Sequence, residues 1–314
     1  MSDKFHGIYP MLLPFYLPDD RVDLEIMRRE VELVVACGCH GLGVMGLGTE
    51  VNKLSTAERL ETLAAVAESL GGRLPLSVTI GENTVRGQIE FGRYAAELGA
   101  SWLILQPPPV SDVSELELLR FFGAVADAVP LPIAVQNAAI YLGIQLTPAG
   151  LASLHRQHPN VTVLKTEDTP EVTSRLMNET NGVFQLFVGR AGLDMIDQLR
   201  AGAVGIIPGM ETVDRTSRIY DHFRAGREAE ATTVYNEILP TLVYLEKSIN
   251  HFVTASREIL ARRWSLDQQP VRHRLARQID AFGHQMISRC ATSMGLLAPP
   301  LVKVPSCDGV ATRC

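Results

Sequence analysis

The chain has 314 residues, 46% hydrophobic and 20% charged, with a formal net charge of -6, which fits one large domain with an appendage or two modest domains. The acidic balance, without a Lys/Arg block or aromatic-basic interleaving, argues against a nucleic-acid partner. No apolar run approaches the ~20 residues of a membrane span, and residues 8–17 are broken by Pro10 and Pro14 and lack a basic leader, so no membrane partner and a cytoplasmic location are expected.

In chain order, apolar runs predict strands over 7–11, 41–45, 76–80, 102–106, 133–137, 161–165, 184–189 and 204–208. Between them, helical periodicity covers 24–36, 56–70, 85–98, 116–128, 148–156, 170–177 and 191–199. Ser55-Thr-Ala-Glu58 is a capping box, and Thr147-Pro148 and Thr169-Pro170 put proline at a first helical position. Eight such steps fit a (β/α)8 TIM barrel better than an open doubly wound sheet, which would carry a phosphate loop after its first strand. Gly41-Leu-Gly-Val-Met-Gly46 matches a dinucleotide fingerprint in spacing only, because its first glycine enters a strand.

Later, the strands stop. Segments 219–223, 229–245, 249–263 and 272–290 read as helices, a C-terminal helical extension of the barrel. The expected division is a barrel core over 1–214, the last barrel helix and extension over 215–298, and a flexible tail over 299–314. Five cysteines suggest no disulfide framework, and Cys37-Gly-Cys39-His40 reads as packing with a glycine cap rather than a metal site. No metal is expected.

Barrel chemistry gathers at the C-terminal strand ends. Lys165 closes the β-branched run Val161-Thr-Val-Leu-Lys165, whereas Lys4, Lys53, Lys247 and Lys303 fall in termini or helical segments. Burial there favours a neutral amine, which can attack a ketone to form a Schiff base. The plainer reading is a lysine paired with Glu167 or Asp168 at a strand end.

Three signatures make the chain resemble the dihydrodipicolinate synthase/N-acetylneuraminate lyase family over roughly residues 5–290. They are Gly46-Leu-Gly-Thr-Glu50 after the second strand, Val135-Gln-Asn-Ala-Ala139 after the fifth, and Leu164-Lys165-Thr166-Glu167 at the end of the sixth. The resemblance implies a Schiff-base lysine at Lys165, a small 2-oxo acid substrate, a homo-oligomer (dimer or tetramer), and no cofactor beyond the covalent imine. Gln136 stands where the family has a proton-relaying tyrosine, Gln106-Pro-Pro-Pro109 where synthases have a partner tyrosine, and Tyr141 where they have a carboxylate-binding arginine. Those departures argue against lysine-pathway synthase activity. The motifs after strands five and six are similar to those of the L-2-keto-3-deoxyarabonate dehydratases. The same imine also serves a pyruvate-dependent aldolase or a hydrolytic deaminase of a cyclic imino acid, and a binding-only barrel is the rival from another class.

The expected catalytic residues are therefore Lys165, Gln136 and Glu167. Glu167 is two residues past the lysine on the same strand face, as base or leaving-group acid or else a helix cap. Gln136 can orient a hydroxyl or water but cannot relay a proton. The expected substrate-binding residues are Gly48, Thr49, Glu50, Asn137, Gly189 and Ile207. Gly48 and Thr49 would take the substrate carboxylate on the loop amides. Glu50 serves more as an orienter than as a base, Gly189 and Ile207 shape the pocket by small size and by bulk, and Arg190 reaches a distal substrate group.

Overall fold

The computed structural model describes residues 5–266 and 276–297. Eight parallel strands, β1 (Gly7–Ile8), β2 (Leu42–Val44), β3 (Leu76–Ile80), β4 (Trp102–Leu105), β5 (Ile133–Asn137), β6 (Val161–Thr166), β7 (Gln185–Val188) and β8 (Gly205–Ile206), form one sheet in the order β1-β8-β7-β6-β5-β4-β3-β2. Bridges from Met11 to both Gly43 and Gly209 link the two ends of that order, so the sheet curls into a (β/α)8 barrel. The sequence predicts a longer first strand. Pro10 has no N–H to give, and the chain beyond Ile8 pairs through single bonds such as Met11 N–H to the Pro208 carbonyl (2.8 Å).

The connecting helices are α1 (Leu24–Ala36), α2 (Thr56–Leu70), α3 (Val85–Glu97), α4 (Glu115–Ala128), the one-turn α5 (Ala139–Leu142), α6 (Pro148–Gln157), α7 (Pro170–Glu179), α8 (Met195–Arg200) and α9 (Val213–Arg224). Ser55 and Glu58 cap α2 reciprocally, and Pro148 and Pro170 open α6 and α7. Cys37 caps α1, Gly38 beyond it takes φ +68°, and the His40 ring accepts the Ile8 N–H at 3.3 Å. These are packing and capping roles.

Three helices differ by several residues from their predicted spans. The periodicity over 191–199 becomes a helix only at Met195, because Arg190, Ala191 and Asp194 are left-handed and turn the chain first. α9 begins at Val213 and crosses the expected boundary at 214, so barrel and extension join within one helix. The extension is α10 (Glu228–Leu245), α11 (Ile249–Arg263) and α12 (Ala281–Met294). The helix predicted over 272–290 therefore begins at Ala281, with 272–275 outside the described residues, as is the predicted tail over 299–314.

Period-two alternation fixes which strand residues face inward. A cluster of Phe5, Tyr9, Trp102, Ile104, Ala134, Val163 and Phe187 plugs the barrel, while Leu164 and its neighbours pack outward under the helices. Lys165 follows Val163 by two and Gln136 follows Ala134 by two, and the two polar residues are register partners. Both therefore stand on the inner face above the plug. Among the described residues no helix is long and apolar enough to cross a membrane.

Candidate active site

Above the plug, at the C-terminal strand ends, a cavity is lined by Lys165, Glu167, Gly189, Arg190, Ile207 and Gly48, with Met11, Leu47, Ala191 and Pro208. The extension closes it with Glu246, Ile249 and Phe252, and α5 contributes Tyr141.

On its wall the buried Lys165 ammonium donates to Glu167 Oε1 at 2.7 Å. The plainer expectation, a lysine paired with Glu167, is what the geometry shows. Glu167 Oε2 in turn accepts the Arg190 backbone N–H at 2.6 Å. That N–H points inward because Arg190 and Ala191 both hold positive φ (51° and 53°), a conformation that costs about 1–3 kcal/mol per non-glycine residue and persists where surroundings enforce it. The Arg190 guanidinium is tied to Asp194 at 3.0 Å. Gly189 leaves room for the carboxylate, since a Cβ there would meet Glu167 Oε2 at 2.1 Å.

Four expected site residues stand behind this wall rather than on it. The Thr49 hydroxyl donates to the Leu12 carbonyl at 2.8 Å, which joins the loop after β2 to the chain beyond β1. Glu50, left-handed at φ 54°, is clasped by Arg257, Lys53 and the Tyr16 hydroxyl. Burial alone would raise its pKa, but those three partners outweigh it and hold the carboxyl below its ordinary value. Asn137 spends its amide on Leu146, accepting its N–H at 2.7 Å and donating to its carbonyl at 3.1 Å. Gln136 accepts from the Gln106 amide at 3.0 Å, and its buried NH2 has no protein partner among the described residues. Thr49, Glu50 and Asn137 therefore brace loops, and Gln136 lies under the cavity beside Lys165.

Sequence reading missed Tyr141 and Glu246 as site residues. The Tyr141 hydroxyl donates to Glu246 Oε2 at 3.0 Å, across 105 positions of chain. Its standing at the synthases' arginine position was the one available signal for Tyr141; Glu246, at the end of α10, carries none. Burial, chiefly, raises the Glu246 pKa, with Glu167 adding to it against the pull of Tyr141 and Arg190. Burial likewise holds the Tyr141 phenol in its neutral form.

A family model described as dihydrodipicolinate synthetase family matches residues 4–261. A 4-hydroxy-tetrahydrodipicolinate synthase of Symbiobacterium thermophilum is 30% identical over 226 residues, 71% of this chain and 76% of that protein. The L-2-keto-3-deoxyarabonate dehydratase of Azospirillum brasilense is 26% identical over 248 residues, 77% of this chain and 80% of that one. Among solved structures, a catalytic-lysine mutant of the Ruminococcus gnavus sialic acid aldolase superposes with a TM-score of 0.84 at 19% identity, covering 94% of this chain and 97% of that chain.

Proposed function

The chain belongs to the dihydrodipicolinate synthetase family, and from that premise we propose that it is a Schiff-base-forming lyase of 2-oxo acids that dehydrates a 2-keto-3-deoxy sugar acid. The observation that carries this reading is the buried Lys165–Glu167 pair facing the cavity at the C-terminal strand ends. Glu167 takes the ammonium proton, and the freed amine attacks the C2 ketone. The carbinolamine hydroxyl leaves as water with the proton returned by Glu167, which yields the imine and restores the carboxylate. The imine acidifies C3, and Glu167 is the adjacent base. Removing the C3 proton gives an enamine, and departure of the C4 hydroxyl completes the elimination. The imine is itself the electron sink, so this chemistry needs no further cofactor or metal.

One feature favours dehydration over condensation with an aldehyde. Tyr141 replaces the arginine that the resemblance assigns to carboxylate binding, and it is engaged with Glu246. The relatives themselves carry synthase, dehydratase and aldolase names. Cleavage of C3–C4 from the same imine is the aldolase alternative. A screen of 2-keto-3-deoxy acids tests the choice: dehydration releases a 2-oxo semialdehyde, whereas release of pyruvate would overturn it. The reading includes a cytoplasmic homo-oligomer, dimer or tetramer, for which light scattering at micromolar protein is the measurement; monomer alone would contradict it.

A further inference from the structure

Elimination from the imine requires an acid for the leaving hydroxyl as well as a base for C3. Glu167 is committed to Lys165 and to the C3 proton, and the amide of Gln136 has no proton to lose near neutral pH. The remaining proton donors on the cavity wall are Tyr141 and the carboxyl behind it. α5 is a single turn, held by the Tyr141 N–H to the Ala138 carbonyl at 3.1 Å, and it carries the phenol from the barrel to the end of α10. There the hydroxyl meets Glu246 at 3.0 Å. Both residues line the same cavity as Lys165.

We propose that Tyr141 is the catalytic acid that protonates the leaving C4 hydroxyl, with Glu246 as the positioning carboxyl that resupplies its proton. This rests on the imine reading above. Once Glu167 holds the C3 proton, the enamine's electron pair restores the imine as the C3–C4 double bond forms and the C4–O bond breaks. The departing oxygen takes the phenolic proton, and the phenol recovers one from the Glu246 carboxylic acid. Water leaves, Glu167 has gained a proton and Glu246 has lost one, and solvent resets both.

The mechanism requires Glu246 to be protonated when the substrate arrives. Burial, with the carboxylates of Glu167 and Asp194, raises its pKa, while the Tyr141 hydrogen bond and Arg190 lower it. Glu211 after β8 interacts with Glu246, and Lys165 on β6 lines the same cavity. The acid form is the active one, so elimination falls as pH rises through the Glu246 pKa.

Three variants test the assignment with two probes: pyruvate with borohydride for imine formation, and a panel of four- to six-carbon 2-keto-3-deoxy acids for elimination. Tyr141→Phe keeps the ring but has no proton to give. It is expected to be labelled by pyruvate like the wild type yet to lose about 100-fold or more in elimination, the scale of general-acid catalysis. Glu246→Gln is expected to eliminate slowly and to lack the alkaline fall of the wild-type profile, which Glu246→Asp restores at a shifted pH. Wild-type elimination rates in Tyr141→Phe, or an unchanged alkaline limb in Glu246→Gln, would overturn the proposal. So would parallel loss of labelling and elimination in Tyr141→Phe, and so would a wild type that is labelled by pyruvate but dehydrates no panel member. That last result would leave the imine reading standing, whereas absence of labelling in the wild type would overturn the imine reading itself.

Discussion

The α-carbon of Gly189 lies so close to the Glu167 carboxylate that a Cβ on it would sit 2.1 Å from one oxygen and 2.4 Å from the other. The Glu167 carboxylate can occupy its position beside Lys165 only because residue 189 has no side chain. Gly189→Ala must push the carboxylate off the ammonium or displace the end of β7. We expect a fall in elimination of about 100-fold, the scale on which misplacing a reacting group by an ångström acts. Wild-type turnover in the variant would refute the packing argument.

The Arg257–Glu50 pair gives a prediction about stability. Arg257 Nε donates to the Pro14 carbonyl at 2.7 Å while its guanidinium holds Glu50, so one side chain of α11 fixes two barrel loops. Removing one partner of a buried pair costs about 3–5 kcal/mol, because the other charge stays buried. Arg257→Ala should lose that much in urea unfolding and shift the site loops with it. The depressed Glu50 pKa adds a pH signature: its contribution is present above the ordinary carboxylate value and is lost as pH falls through the folded-state value.

Glu211 behaves in the opposite sense. Burial raises its pKa from 4.5 to about 7 in the fold. Between those values the folded state holds a proton that the unfolded state has released, so stability declines as pH rises. The decline from this group amounts to roughly 3 kcal/mol, and buried Glu30, also raised by burial, acts in the same direction. Glu211→Gln should flatten the stability profile between pH 5 and 7. A variant with the wild-type slope would contradict the assignment.

Condensation of pyruvate with aspartate semialdehyde should be negligible. With Tyr141, engaged with Glu246, where the resemblance implies an arginine, a second carboxylate entering the pocket lacks that cationic partner. Robust condensation by the purified protein, assayed by product absorbance, would overturn this reading of the departures.

The barrel was legible because buried parallel strands read as continuous β-branched runs and their helices carry local start signals such as the box at Ser55. Lys165 and Glu167 were legible together because a spacing of two keeps them on one face of a single strand and its exit. Tyr141 and Glu246 were not, since their contact joins two elements 105 positions apart and depends on how α10 packs over the barrel. Thr49 shows a third limit. Its place in a glycine-rich loop suggests anion binding, but the hydroxyl turns to a carbonyl 37 positions earlier, a partner that only the closed barrel supplies. The helix predicted from 191 failed at its start because Arg190, Ala191 and Asp194 take left-handed backbone, which side-chain periodicity does not report.

The central claim is that Lys165 forms the imine. Incubation with pyruvate and borohydride, followed by proteolysis and mass spectrometry, tests it most directly. The reduced adduct should lie on a single peptide, the one containing Lys165, and Lys165→Ala and Lys165→Arg should both lose labelling and turnover, since a guanidinium stays protonated and cannot attack a ketone. Labelling at Lys53 or Lys247, or full turnover in Lys165→Ala, would contradict the mechanism.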